Sequence, residues 1–510
     1  MTQRAIPARF NFAANVVYRR AAETPQKTAT LAIAADGSVE EWSYARIAET
    51  SHRLAAALVR AGVMQGDRVL LMMGRTPYWQ AALTACLHVG AVPVPCVTQA
   101  TAAEMAYRVQ KSGAKAAFID STYADRFAGM RIALLVARTE AAIPGDAAPV
   151  AEVDANAPAL MYFTSGSSGP PKAVMHAARS VYVRAVQPWQ QLGMAEGDII
   201  WTTSDTGWTR AGSCLVFGAW MNGAVALMHE DPPAPEARLE VLARHGVTIF
   251  AAVATELRII LARAQACALP KLRWTLSAGE AMTAELATRW KAFSGVPLLV
   301  GWGQSETPTA TLTDPATPPV NGMIGRPMAG NAVAIVDETG GECAEGVHGR
   351  IAFGASDPGL MLGYWNEGRP ELNLLAGRWH ITGDCGWRDA KGNLYFLGRD
   401  DDIISSSGYR IGPTEVENAL AQHAAVAECA VVASPDPVRG EVVKAYVVLR
   451  NGHAPGEALA AALQDHVKRI IAPYKYPRKI EFAERLPRTA SGKVQHRALR
   501  ELEFGRISRT

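Results

Sequence analysis

Short, wholly apolar runs alternating with amphipathic helical stretches constrain this chain more than any other feature. Residues 43–62 predict a helix with Ile47, Leu54 and Leu58 on one face. Gly62 and Gly66 bracket a turn, and Arg68–Met73 (RVLLMM) then reads as a buried strand. A second helix starts at Pro77 and closes at Gly90, and Ala91–Pro95 (AVPVP) is the next strand. Strands that are apolar on both faces and separated by helices imply a parallel sheet covered on each side. The pattern returns over 198–229 and 236–301, where Val247–Val253 and Trp274–Ser277 read as strands. The fold class expected is therefore α/β, with layered, doubly wound sheets.

After about residue 320 the pattern becomes short strands separated by Gly-rich turns, with a hairpin signal at Asp337–Gly341. This predicts a β-rich, barrel-like subdomain. From about residue 402 an α+β pattern follows: a helix at Thr414–His423, strands at Glu428–Ala433 and Val442–Leu449, and a helix over 456–471. The expected division is a large N-terminal domain, 1–400, and a small C-terminal domain, 402–510, meeting at Asp401.

Composition excludes several classes. A chain of 510 residues, 49% apolar and 19% charged, is globular and too long for one ordinary domain. Its net charge of +3 provides no global field for a nucleic-acid partner, so any anion site has to be local. The seven cysteines are odd in number, dispersed and free of C-x-x-C pairs, which fits a reducing compartment better than a disulfide framework. No apolar run reaches the ~18 residues of a membrane span. Arg4, Arg9, Arg19 and Arg20 precede the first acid, Glu23, as in a transit peptide. Yet Phe12, Val16 and Val17 already form a helical stripe, leaving too little chain for the ~15–30 residues of a presequence. The expected location is cytoplasmic.

Five motifs carry chemistry. Tyr162–Lys172 (YFTSGSSGPPK) runs from a strand into a loop where Gly166 and Gly169 allow close backbone approach to an anion. Thr164, Ser165, Ser167 and Ser168 supply donors and Lys172 supplies charge. Ala173 follows the lysine where a Walker loop would place a hydroxyl, so this is a different phosphate loop, or else a plain Ser/Gly turn. In Gly301–Thr307 (GWGQSET), Trp302 can stack on a base and Glu306 can hold Mg²⁺. Asp384, in Trp379–Asp384 (WHITGD), suits a ribose diol or a turn cap. Gly398–Glu415 combines Arg399 with the acidic triplet Asp400–Asp402 and the run Ser406–Pro413 (SSGYRIGP); its plain reading is a solvated linker. Pro487–Val494 (PRTASGKV) places Lys493 on a Gly-Ser loop, as a basic tail or a mobile catalytic cation.

In this order, the five motifs resemble the adenylate-forming superfamily of acyl-CoA synthetases, peptide-synthetase adenylation domains and luciferases. The stretches FNFAANV (10–16), PCVTQATAAEMAYRVQKSGAKA (95–116), SSGYRIGPTEVENAL (406–420) and APYKYPRKIEF (472–482) look like the medium-chain acyl-CoA synthetase branch. The resemblance implies an ATP-, Mg²⁺- and coenzyme A-dependent carboxylic acid:CoA ligase working through acyl-AMP. Its catalytic candidates are Lys493, Glu306 and Thr164, with Glu306 as the metal ligand. The nucleotide would be held by Thr164, Ser165, Gly166, Ser167, Ser168, Gly169, Lys172, Gly279, Glu280, Trp302, Gly303, Gln304, Ser305, Asp384 and Arg399. Asp401 is the implied hinge, about which a small mobile domain turns. Ser407, Gly408, Tyr409 and Arg410 would face coenzyme A, and Trp208, Gly303 and Pro308 would line the acyl pocket.

Acetate-specific relatives place a tryptophan at the position of Gly303, so the resemblance implies a medium-chain or aryl acid. The chain departs from the branch at Pro308, where glycine is usual, at Pro170-Pro171, and in a short segment between Asp120 and Pro158. Asp205 does not distinguish amino-acid from fatty-acid activation, and Trp208 reads equally as core or cleft. Two other readings stand beside the ligase: an enzyme that loads a carrier protein, and a non-catalytic nucleotide- or acyl-binding relative. The partners expected are small molecules, with no nucleic acid and no membrane span; the oligomeric state is open.

Overall fold

The computed structural model describes residues 6–145, 149–164, 170–280, 282–406, 409–437, 439–488 and 494–507. Of the expected site residues, Ser165, Gly166, Ser167, Ser168, Gly169, Ser407, Gly408, Lys493 and the side chains of Tyr409 and Arg410 lie outside the described residues.

The α/β alternation forms as expected. The strands Val92–Pro95, Arg68–Met72, Ala116–Ile119 and Ala133–Val136 make one parallel sheet in that spatial order. Its inner strands are apolar but for Arg68, because one face packs on helices with Ile47, Leu54 and Trp79 and the other meets Met161, Phe163 and Met175 of a neighbouring sheet. The helix Tyr44–Arg60 begins where the Ser43 hydroxyl accepts the Arg46 N–H at 3.3 Å, and it buries Ile47, Leu54 and Leu58 completely. The helix Ala102–Ser112 carries a reciprocal capping box between Thr101 and Glu104 and stops at Gly113, whose left-handed backbone ends the turn. The N-terminal stripe is also present, with Phe12, Val16 and Val17 fully buried.

A second sheet runs through thirteen strands. Thr28–Ile33, Val225–His229, Ile199–Thr202, Ile249–Ala251, Trp274–Ser277 and Leu298–Gly303 pair in parallel. Leu298–Gly303 is the joint, because its other edge pairs antiparallel with Thr309–Leu312. From there Met323–Pro327, Leu394–Arg399, Trp379–Arg388, Gly349–Gly354 and Val333–Val336 continue antiparallel. The β-rich segment is thus continuous with the parallel strands through Leu298–Gly303. The turn at Asp337–Gly341 forms, with the Asp337 carboxylate accepting the N–H groups of Thr339 and Gly341 at 2.8 and 2.9 Å. It is not a simple hairpin. One bridge, Val336 to Glu342, closes it, and Val333–Val336 takes Gly349–Gly354 as its partner.

A third, antiparallel sheet orders Arg369–Glu371, Gly363–Asn366, Lys172–Ala177 and Pro158–Thr164. Past the 3₁₀ turn Asp400–Asp402, the strands Ile404–Ser406, Tyr409–Ile411, Val426–Asp436, Gly440–Leu449 and Lys479–Phe482 pair among themselves. They surround an apolar cluster of their own with Val416, Leu420, Leu463 and Val467. The helices there are Pro413–Leu420, Glu457–Ile470 and His496–Ile507. No helix among the described residues is long and apolar enough to cross a membrane.

Candidate active site

Where the parallel strand Leu298–Gly303 ends, the chain turns sharply back into Thr309–Leu312. Gly303 faces Thr309 in the pairing, and a Cβ there would lie 2.2 Å from the Pro308 carbonyl oxygen. The glycine is therefore required by this crossing, and the volume it vacates is filled by the Pro308 backbone. The loop between them is pinned internally. Thr307, fully buried, accepts the Gln304 N–H at 3.0 Å through its hydroxyl and donates to the Pro308 carbonyl at 3.0 Å.

A buried cation pins the same loop from below. Arg184 donates to the carbonyls of Ser305 and Thr307 at 2.9 and 2.8 Å, and the His176 Nε2–H donates to Ser305 at 2.8 Å. Burial pulls Arg184 down to about 10, which leaves it charged at neutral pH. Burial, then the Arg184 charge, holds His176 well below the ordinary imidazole range, so it is neutral. The two carbonyls they hold flank Glu306. Neither Arg184 nor His176 is legible from sequence; the one signal is an arginine on the apolar side of the helix Ala178–Gln191.

Glu306 meets the phosphate-loop strand through Tyr364. In the antiparallel sheet Thr164 faces Lys172, and Tyr364 faces Val174, on the same side of the sheet as Lys172. The Tyr364 hydroxyl donates to Glu306 Oε1 at 2.9 Å, and the Lys172 ammonium lies 4.9 Å from the centroid of the Tyr364 ring. The Tyr364 hydroxyl thus engages Oε1 and not Oε2 of Glu306. Among the described residues no group of three or more His, Cys, Asp or Glu side chains converges. A single carboxylate suits Mg²⁺, which binds through one or two carboxylates while keeping waters and nucleotide phosphates as its other ligands. Glu306 thus fits that ion.

Three motifs converge on Asp384, which is 5% exposed. Arg399, its partner across the strand pair, donates to Oδ1 at 2.6 Å. The Trp302 indole N–H and the Gln304 amide donate to Oδ2 at 3.0 and 2.9 Å. Gln304 also reaches the Thr382 carbonyl at 3.0 Å. Burial pushes the Asp384 carboxyl up, and Arg399, Trp302 and Gln304 offset part of that rise. A carboxylate offers about four lone-pair sites, so capacity for a hydroxyl remains on Oδ1. Trp302 is 8% exposed, so most of its indole is core and its N–H is committed to Asp384.

Gly279, with φ +82°, turns the chain out of the strand Trp274–Ser277, and Glu280 accepts the Thr255 N–H at 2.8 Å. The Arg210 guanidinium donates to the Ala278 carbonyl, which brings the half-buried Trp208 loop beside Gly279. Asp205 accepts from the Gly207 N–H of its own loop at 2.9 Å and from the hydroxyl of Thr98, 107 positions away. This is the role of a structural cap. A cavity of about 440 Å³ beside it is lined by Arg75, Asp120, Arg138, Asp205 and Glu230, charges that suit no alkyl chain.

At the acidic triplet, the Arg500 guanidinium donates to the Asp401 carbonyl. Burial pushes the Asp402 carboxyl up, while His496, then Arg500, pull against that rise. Both cations belong to the helix His496–Ile507, which follows directly on the Lys493 segment.

Comparison with known proteins agrees with this geometry. The AMP-binding enzyme profile matches residues 17–365, and the AMP-binding enzyme C-terminal domain matches residues 415–493. The chain belongs to the AMP-binding enzyme family. Human mitochondrial acyl-coenzyme A synthetase ACSM5 is 36% identical over 98% of this chain and 92% of its own length. Mouse mitochondrial ACSM3 is 35% identical over 98% and 91%. Among solved structures, the anthranilate CoA ligase AuaEII in complex with anthranoyl-AMP superposes with a TM-score of 0.88 at 26% identity, covering 99% of each chain. A benzoate CoA ligase from Burkholderia xenovorans LB400 gives 0.83 at 29% identity over 96% and 100%. The chain is an acyl-CoA synthetase of the adenylate-forming superfamily, using ATP, Mg²⁺ and coenzyme A.

Proposed function

We propose that this enzyme activates a medium-chain fatty or aryl carboxylic acid, and not acetate. In the first half-reaction a carboxylate oxygen attacks the α-phosphorus of ATP and the α–β bridging P–O bond breaks, giving acyl-AMP and pyrophosphate. In the second, the coenzyme A sulfur attacks the acyl carbon, the C–O bond to AMP breaks, and the thiol proton passes to solvent. The free carboxylate has no usable leaving group, whereas its adenylate has AMP. The work of the protein is positioning and charge neutralisation around phosphates.

The observation that carries this assignment is the convergence of Trp302, Gln304 and Arg399 on one buried carboxylate, Asp384, beside the Lys172–Tyr364–Glu306 contact. Thr164, Lys172 and the segment Ser165–Gly169 hold the pyrophosphate end. Glu306 would hold Mg²⁺, which would supply charge to neutralise the phosphate oxygens. Gly279, Glu280, Trp302, Gly303 and Ser305 surround adenine, and Asp384 with Arg399 takes the ribose. Lys493 serves adenylation alone. A turn about Asp401, between domains 1–400 and 402–510, exchanges Lys493 for the face bearing Ser407, Gly408, Tyr409 and Arg410, which meets coenzyme A. Trp208, Gly303 and Pro308 line the acyl pocket. The aryl-acid ligases among the structural relatives support the acid class. Seven free cysteines fit a reducing compartment, which this reading takes to be the cytoplasm.

The test is AMP release across acetate, straight-chain acids up to dodecanoate, branched acids and benzoates, with and without coenzyme A. Turnover should peak with medium-chain or aryl acids and require coenzyme A, with acetate near background. Acetate as the best acid would overturn the assignment.

A further inference from the structure

Tyr364 stands apart from the five motifs, yet it touches two of them. Its placement is enforced. Gly363, at φ +142°, lies where a Cβ would be 2.4 Å from the Glu371 carbonyl oxygen, so the strand can cross its neighbour only with glycine there. The Leu362 N–H donates to the Met175 carbonyl at 2.7 Å, and the Met361 N–H donates to the Glu306 carbonyl at 3.0 Å. The backbone ahead of Tyr364 is therefore tied both to the phosphate-loop strand and to Glu306 itself. A phenol filling space would not need its hydroxyl on a carboxylate, nor a lysine against its ring face.

We propose that Tyr364 is a positioning residue for adenylation: its hydroxyl aims the Glu306 carboxylate toward Mg²⁺ while its ring face seats the Lys172 ammonium. One side chain thereby sets the spacing between the cation of the phosphate loop and the acid that takes the metal. The hydrogen bond fixes Oε1 and leaves Oε2 as the metal-facing oxygen, the usual way an outer partner orients a ligand. The cation–π contact holds Lys172 without a counter-charge, so the ammonium stays available to phosphate. This inference rests on Glu306 being the metal-binding acid.

The test uses the full chain without acid substrate, so that nothing turns over, and measures ATP binding by calorimetry with magnesium chloride or with EDTA. Tyr364→Phe keeps the ring under Lys172 and removes only the donor to Glu306. It should weaken Mg·ATP binding by about ten-fold, the lower end for loss of an outer-sphere partner, and leave metal-free ATP binding at the wild-type value. Tyr364→Leu, which also removes the ring, should weaken both. In a Glu306→Gln background, Tyr364→Phe should add no further loss. Wild-type Mg·ATP affinity in Tyr364→Phe overturns the proposal. So does an equal loss of metal-bound and metal-free ATP, which marks a merely structural defect even if the variant is less stable. Wild-type Mg·ATP affinity in Glu306→Gln alone instead overturns the metal-ligand assignment of Glu306.

Discussion

Asp384 shows how a single residue carries several parts of this site. Its carboxylate is buried, and it is kept in place by one charged donor and two neutral ones from separate stretches of chain. Replacing Trp302 by Phe preserves the apolar wall and deletes one donor. The expected result is a loss of about 1 kcal/mol in folding stability and a several-fold rise in KM for ATP, with kcat changed little. Unfolding midpoints and initial rates check both. Asp384, Arg399 and Glu306 are legible in sequence because each sits in a short pattern with a strand ahead of it. Trp302 is legible as part of the site, but its N–H is already used, which composition of a motif cannot show. Tyr364, Arg184 and His176 are not legible. Tyr364 reaches Glu306 across 58 positions, and Arg184 reaches Ser305 across 121. Only the pairing of distant strands and helices brings them together.

Among the elements, the helix His496–Ile507 has the most to say about the lid. Burial would push the His496 imidazole down, but Glu417, whose Oε1 is 2.6 Å away, and then Asp402 outweigh it and hold the group up to about 9. The folded value lies above the ordinary 6.5, so the stabilisation is complete below about pH 6.5 and is lost as pH rises through about 9. The docking of this helix should weaken across that window, seen as a falling unfolding midpoint of the C-terminal region, and His496→Gln should flatten the dependence. An unchanged midpoint in the wild-type protein between those pH values would contradict it. The helices and buried strands were readable because their apolar periods differ, as in Tyr44–Arg60 against Arg68–Met72. The turn at Asp337 was readable too, but its strand partner was not. Side-chain chemistry encodes the bend, whereas the longer connection that brings Gly349–Gly354, the next strand, against Val333–Val336 has no local signature.

At the scale of the whole molecule, a net charge of +3 leaves ATP and coenzyme A to be met by local groups. Lys172 lies in the four-stranded antiparallel sheet and Arg399 in the thirteen-stranded one, while Lys493 belongs to the segment ahead of the last helix. The pairing of strands changes partners between Leu394–Arg399 and Ile404–Ser406, with the turn Asp400–Asp402 and Ile403 between them. A connection that short can pivot but cannot wander, which supports the proposed exchange of catalytic faces there. The change of strand pattern near residue 402 is visible in the sequence; the grip of Arg500 on the Asp401 carbonyl is not, since it spans 99 positions. The most direct measurement compares the two half-reactions in Lys493→Ala. Acid-dependent pyrophosphate release should fall by at least about a hundred-fold, the scale set by loss of a charge that stabilises the transition state. Thioester formation from supplied acyl-AMP and coenzyme A should stay near the wild-type rate. Equal loss of both half-reactions would contradict a lid that presents different faces to the two steps.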